Sequence, residues 1–155
     1  MAQHAVDAVI QACFYHEWSQ KKIPLNRRMC HIVVLVPAMK KVSRDYPNHL
    51  IKPHVLLEHS FGPRSEWPWK FDEIARSKAL QLWHDRLDVM PHLLSPGDTP
   101  FWGGVKRHGI VVACSGVQPW FDKMISGMVA DTCVALAQDC WENSQDKKDD
   151  VCFLT

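Results

Sequence analysis

The stretch FWGGVKRHGIVVACSGVQPWFD, residues 101–122, decides the fold. Its segment HGIVVACS is short, β-branched and nearly uncharged, which is typical of a buried strand. Residues 101–106 offer a short partner strand before it. Pro119 begins a helix, because its missing N–H costs nothing at a first helical position, and Asp122 falls in the first turn, where the helix dipole favours acids. The stretch therefore predicts a strand pair that leads into a helix, with a Gly-Gly pair and a Ser-Gly pair at its two joints.

Two further strands are predicted upstream. Residues 29–39 form a β-branched run that Pro37 closes, and residues 49–61 return after a turn at residues 43–48. Pro53 cannot donate to a strand ladder, so the second of these strands is expected at a sheet edge or at a bulge.

Three helices are predicted around these strands. Residues 2–20 and 71–87 carry apolar residues at spacings of three and four, and the helix that begins at Pro119 continues the same pattern. The first stripe is Val6, Val9, Ile10, Cys13, Phe14 and Trp18, and the last is Phe121, Met124, Ile125, Met128, Val129, Leu136 and Cys140. This order of elements predicts an α+β fold in which helices flank a small antiparallel sheet.

Length and charge narrow the class of protein. The 155 residues fit one domain, which we place at residues 1–142 with a charged tail at 143–155. The formal charge of +1 gives no field that would gather a nucleic acid, and no apolar run is long enough to span a membrane. The N-terminus lacks the pattern of a secretory signal, so we expect a cytoplasmic protein. In that compartment Cys133 and Cys140 are expected to be free thiols that face the core.

The reactive side chains suggest no dedicated metal site. His49, His54 and His59 are five residues apart, a spacing that sends successive side chains to opposite faces of a strand. Haem requires less, because one axial histidine or none is sufficient in an apolar slot. Cys114 is more consistent with a core residue than with a nucleophile, since no base can be identified for it.

Four tryptophans fall in predicted loops or at a helix entrance: Trp67, Trp69, Trp102 and Trp120. Large aromatic residues outside the regular elements favour a cleft lined for a ligand or a subunit contact. The alternative is that they cap the ends of a single core.

Several segments together resemble a known family. FDEIARSKALQLW, PGDTPFWGGV, HGIVVACSG and FDKMISGMVADTCVAL are similar, in order and separation, to the haem-binding and haem-degrading domain family of the GlcG/HbpS type. The family positions fall on Ala75, Lys78, Ala79, Gly103, Gly104, Ser115, Gly116 and Asp122. The resemblance implies a profilin-like fold with a sheet of about five antiparallel strands, helices on both faces, and assembly into homo-oligomers. Some members of the family bind haem.

The resemblance leads to one site and three hypotheses. In such a fold the glycine loop and the Ser-Gly turn lie close together, where Lys78 and Arg107 could face a carboxylate. The residues expected to contact a small-molecule ligand, haem first, are Lys78, Trp102, Gly103, Gly104, His108, Ser115, Gly116, Trp120 and Asp122, with His108 as the iron ligand. The alternatives left open are an adaptor without a ligand, and an enzyme, haem-degrading or acting on a small carboxylate, that uses Lys78, Asp122 or Cys114.

Overall fold

The computed structural model describes residues 1–40, 50–86 and 91–149. Its strands are β1 (Cys30–Lys40), β2 (Leu50–Phe61), β3 (Gly104–Arg107) and β4 (Ile110–Ser115). Its α-helices are α1 (Ala2–Ile10), α2 (Glu17–Lys22), α3 (Phe71–Trp83), α4 (Pro119–Glu142) and α5 (Gln145–Lys148). The fold is α+β, as the sequence predicts.

The four strands form one antiparallel sheet in the order β2-β1-β4-β3. Alternate residues of a strand point to opposite faces, so the sheet separates two cores. On one face Ile32 and Val112 pack with α1 and α4, and on the other Val33 and Val111 pack with α3. The predicted helices on both faces are therefore present.

The expected number of strands is wrong for the part of the chain that the structure describes, which contains four strands and not about five. The short partner strand expected within residues 101–106 is β3, which begins only at Gly104. Because β3 starts at Gly104, which pairs with Ala113, the last two residues of β4, Cys114 and Ser115, have no partner in β3. The candidate site lies at that end of the sheet.

Pro37 does not close β1, which continues to Lys40. Beyond Leu35 the strand pairs with β2, and Pro37 lies opposite Pro53. Opposed residues of an antiparallel pair alternate between bonded and non-bonded positions, so two facing prolines occupy a position where neither has to donate. The edge placement and the bulge expected from Pro53 are both found, because β2 is an outer strand and its register shifts by one residue beside Leu35. The predicted turn at residues 43–48 and His49 lie outside the described residues.

The terminal helices differ from the predicted ones. The helix expected over residues 2–20 is divided into α1, a π-helical turn at Gln11–Tyr15 and α2, with extended backbone at His16. In α4, Cys133 is buried as expected but Cys140 is exposed. The 24 residues of α4 span about 36 Å, whereas the six residues of β4, on which it packs, span about 20 Å, so the helix extends beyond that strand.

Within the expected tail, Gln145–Lys148 form α5, and residues 150–155 lie outside the described part. None of the helices described is both long and apolar enough to cross a membrane.

Candidate ligand cavity

Residues that are distant in the sequence meet around one cavity of about 230 Å³ at the end of the sheet. Lys78 reaches it from α3, Asp122 from the first turn of α4, and Ser115 and Gly116 from the end of β4. Trp102 comes from the loop before β3. Five of the nine residues predicted to contact a ligand therefore line the same space.

The polar centre of this cavity is an ion pair between the two helical layers. Lys78 Nζ donates to Asp122 Oδ2 at 3.1 Å and to the carbonyl oxygen of Cys114 at 2.9 Å. The side chains of Lys78 and Asp122 are only 1% and 6% exposed. The lysine can pass from the α3 face to the α4 face because β3 begins beyond Cys114, which leaves the edge of β4 accessible there. Buried charges are costly, so they require such pairing.

Gly103 makes room for this pair. Its φ is +129°, and a Cβ atom at this position would lie 2.6 Å from Asp122 Cβ and 3.3 Å from Lys78 Nζ. The hydroxyl of Ser126 lies 3.1 Å from the Gly103 carbonyl oxygen and 2.7 Å from that of Asp122. The loop is therefore held against the helix at its closest approach.

Asp122 is held on both carboxylate oxygens, since the Val117 backbone N–H donates to Oδ1 at 3.0 Å. Burial raises the pKa of the Asp122 carboxyl above its usual value, although Lys78 and the Val117 N–H act in the opposite direction. Asp122 can therefore hold a proton at a higher pH than an ordinary aspartic acid.

Aromatic side chains form the mouth of the cavity. Trp69 and Phe101 are 62% and 46% exposed, and their ring centroids are 6.5 Å apart. Trp102 lies beside them, with Lys123 Nζ 5.9 Å from its ring centroid. Arg27 also lines the cavity, and its Nη1 donates to the carbonyl oxygens of Gly116 and Val117 at 3.2 and 3.3 Å.

Four of the predicted site residues do not line this cavity, and one of them is Gly103, which packs against the ion pair. Gly104 packs against α3, where an added Cβ would lie 2.5 Å from Leu82 Cδ1. Trp120 is 58% exposed and lies beside the cavity residue Pro119. His108 lies in the β3–β4 turn, about 20 Å of strand away from Ser115, so the structure does not bring it to the other site residues.

Cys114 does not line the cavity, although its carbonyl oxygen accepts a hydrogen bond from Lys78. Its side chain is fully buried in the α1/α4 core, and burial raises the pKa of the thiol well above its usual value. A buried thiol of this kind is inert as a nucleophile. The structure thus leaves Lys78 and Asp122 as the polar centre of the enzyme hypothesis.

The sequence-based predictions do not identify Arg27 or Phe101 as lining this cavity. Arg27 lies in the connection before β1, without a motif, and its place depends on two carbonyl groups some 90 positions away. Trp69 is one of the four loop tryptophans for which the sequence predicts a ligand cleft or a subunit contact, and it lines the cavity. Phe101 adjoins the Trp-Gly-Gly segment, which was the available signal.

His31 is a second buried polar group, and it lies in β1. It pairs with Ser115 across the sheet and is 4% exposed, and its Nδ1 lies 2.8 Å from Ser60 Oγ. Its Nε2 lies 4.0 Å from Glu58 Oε1. Burial lowers the pKa of the imidazole, and Arg76 and Arg64 lower it further, against the opposing effect of Glu58 and Asp72.

Because the pKa of His31 is lowered in the folded protein, we expect the free energy of unfolding to depend on pH. With a folded pKa below the unfolded value near 6.5, the unfolded chain binds more protons as the pH falls through 6.5. The free energy of unfolding should therefore decrease on acidification from pH 7.5, by at most about 1.4 kcal/mol per pH unit. His31→Asn, which keeps a donor near Ser60, should remove this contribution. Urea titrations of the wild type and of His31→Asn between pH 7.5 and 5 measure this change. If the free energies of unfolding of the two proteins depend on pH in the same way, the prediction is wrong.

No group of three or more His, Cys, Asp and Glu residues in the described ranges could hold a metal ion. Comparisons of the chain with protein-family models, with curated proteins and with solved structures returned no match. The resemblance to the GlcG/HbpS family thus stays a prediction.

Proposed function

We propose that the protein binds a small carboxylated molecule in the cavity between α3 and α4. The observation that supports this most strongly is the Lys78–Asp122 ion pair, which is buried and yet forms part of the wall of an accessible space. Apolar residues of similar volume could replace a buried lysine–aspartate pair without loss of stability. A purely structural role therefore does not explain why this pair is present. Exposed aromatic residues at the mouth supply the apolar surface that small-molecule sites commonly have.

The dimensions favour a metabolite over haem. Pockets for drug-sized ligands usually measure about 300–1,000 Å³, and this cavity measures about 230 Å³. The histidine expected as the iron ligand, His108, lies in the turn at the far end of β4. A small carboxylate therefore fits the site better than a macrocycle does.

A thermal-shift screen of small carboxylates, with haem included, tests the proposal. A ligand at a hundred times its dissociation constant should stabilise the protein by about 2.7 kcal/mol. Trp102→Ala, which removes a cavity wall, should abolish this shift, and Trp120→Ala, outside the cavity, should preserve it. If nothing in the screen stabilises the wild type, the binding function is wrong. A shifted haem Soret band that Trp102→Ala removes would restore haem as the ligand.

A homo-oligomer is the second candidate role, and the exposure of Trp120 is the observation that favours it. The same two variants separate the roles in sedimentation velocity. If Trp120 lies in a subunit contact, Trp120→Ala should dissociate the assembly while Trp102→Ala leaves it intact. An unchanged sedimentation coefficient for Trp120→Ala would exclude this contact.

A further inference from the structure

Three charged residues line the cavity, and one of them, Arg27, has no charged partner there. Lys78 and Asp122 neutralise each other at 3.1 Å. Arg27 also lines the cavity, and it takes part in none of the ion pairs found among residues 1–40, 50–86 and 91–149. The net charge of the lining side chains is therefore that of a single guanidinium group, which selects a ligand with one negative charge.

The guanidinium group of Arg27 is already held in place. Its Nη1 donates to two carbonyl oxygens, those of Gly116 and Val117, and its central carbon lies 6.0 Å from the ring centroid of Phe71. These contacts use one nitrogen, whereas Nε and Nη2 carry three more N–H groups. An arginine with a fixed plane and free N–H groups is suited to bind a carboxylate through two parallel hydrogen bonds.

The rest of the cavity is suited to a flat apolar body. Trp69, Phe101 and Trp102 stand at its mouth, and Ile74 forms part of its wall. A volume of about 230 Å³ corresponds to roughly eight water molecules at about 30 Å³ each. A ligand of on the order of ten non-hydrogen atoms, with a ring that stacks on the aromatic residues, matches this space.

The carboxylate of Asp122 in the cavity wall limits the ligand to one carboxylate. A second carboxylate would approach Asp122, and Lys78 is already committed to that residue and to the Cys114 carbonyl oxygen. Like charges in a partly desolvated site repel, so a dianion is selected against.

We propose that the cavity binds an aromatic monocarboxylate whose carboxylate is held by Arg27. The inference rests on the proposed binding function and specifies its ligand class and its recognition residue. Lys78 and Asp122 then form the polar floor beneath the ring and do not contact the carboxylate.

Four probes test the ligand class by calorimetry or tryptophan fluorescence. Benzoate carries the ring and one charge, benzamide is its neutral isostere, phthalate adds a second carboxylate, and cyclohexanecarboxylate replaces the flat ring. Benzoate should bind about tenfold or more tightly than benzamide and phthalate, because hydrogen bonds to a charged group are the stronger ones, and more tightly than cyclohexanecarboxylate. Equal affinity for benzoate and benzamide would overturn the proposal.

Two variants test the residue. Arg27→Met should weaken benzoate binding about tenfold or more and leave benzamide binding unchanged, and Arg27→Lys should recover only part of the loss, since lysine lacks the planar fork. Arg28→Met is the matched control, because the neighbouring Arg28 donates from Nε to the Phe14 carbonyl oxygen and does not line the cavity. Circular dichroism and a melting curve establish that each variant folds, and if Arg27→Met does not fold, Arg27→Lys decides alone. Wild-type benzoate affinity in a folded Arg27 variant would exclude the role.

The outcome also separates this inference from the function on which it rests. If none of the aromatic monocarboxylates binds but another small molecule gives a shift that Trp102→Ala abolishes, the inference is wrong and the binding function stands. If no molecule gives such a shift, both are wrong.

Discussion

Lys78→Met is expected to lower the free energy of unfolding by about 3–5 kcal/mol, the usual cost of removing one partner of a buried ion pair. Methionine can fill most of the volume of the lysine stem, so the loss reports the charge and not a cavity. The variant removes the lysine from the buried Asp122, which keeps the Val117 N–H as a donor, and from the Cys114 carbonyl oxygen. Equilibrium unfolding in urea measures the change.

The double variant Lys78→Met/Asp122→Asn identifies the cause of that loss. Asparagine keeps an oxygen that can accept from the Val117 N–H but carries no charge, so the stranded carboxylate disappears. We expect the double variant to be more stable than the sum of the two single changes predicts, because the two residues are in contact. Strict additivity would show that the pair is not coupled.

An exposed ion pair provides the control. Lys70 and Glu73 lie 3.0 Å apart, with side chains 75% and 60% exposed. Water screens such a pair, so Lys70→Met should leave the unfolding transition where it is in the wild type. A loss equal to that of Lys78→Met would show that burial does not distinguish the two lysines.

The regular elements could largely be predicted because their signals are local. The start of α4 follows from Pro119 and Asp122, and the buried first stripe follows from the spacing of residues such as Val6, Ile10 and Phe14. The predictions are wrong where a residue distant in the sequence determines the local structure. Pro37 continues β1 only because Pro53 is opposite it in the register, which no local pattern encodes.

The site could be predicted only in part. The resemblance implies that Lys78 and Asp122 meet the glycine loop and the Ser-Gly turn, and the distances are consistent with that expectation. The sequence also favours His108 as a site residue, because it is near the glycine pair along the chain. A strand carries the chain away by more than 3 Å per residue, so β4 separates its two ends. No local sequence pattern could identify Arg27, since its two carbonyl partners are about 90 positions away in the sequence.

Gly103→Ala is expected to cost about 3 kcal/mol or more, from two independent sources. The backbone at φ +129° is one that residues with a side chain rarely adopt. The new Cβ would also lie 2.6 Å from Asp122 Cβ and 2.8 Å from the Pro119 carbonyl oxygen, so α4 would have to move away from the loop.

Gly97→Ala separates the two sources. Gly97 also has a positive φ, +92°, but a Cβ there would meet nothing within 4 Å. It should therefore show the backbone cost alone, about 1–2 kcal/mol. The additional loss of unfolding free energy in Gly103→Ala, compared with Gly97→Ala, then measures how tightly the loop is packed against Asp122. This additional loss should be smaller when Asp122 is replaced by glycine, because the Cβ atom that clashes is then absent. If the two alanine variants unfold at the same urea concentration, the loop is not packed on the Lys78–Asp122 ion pair.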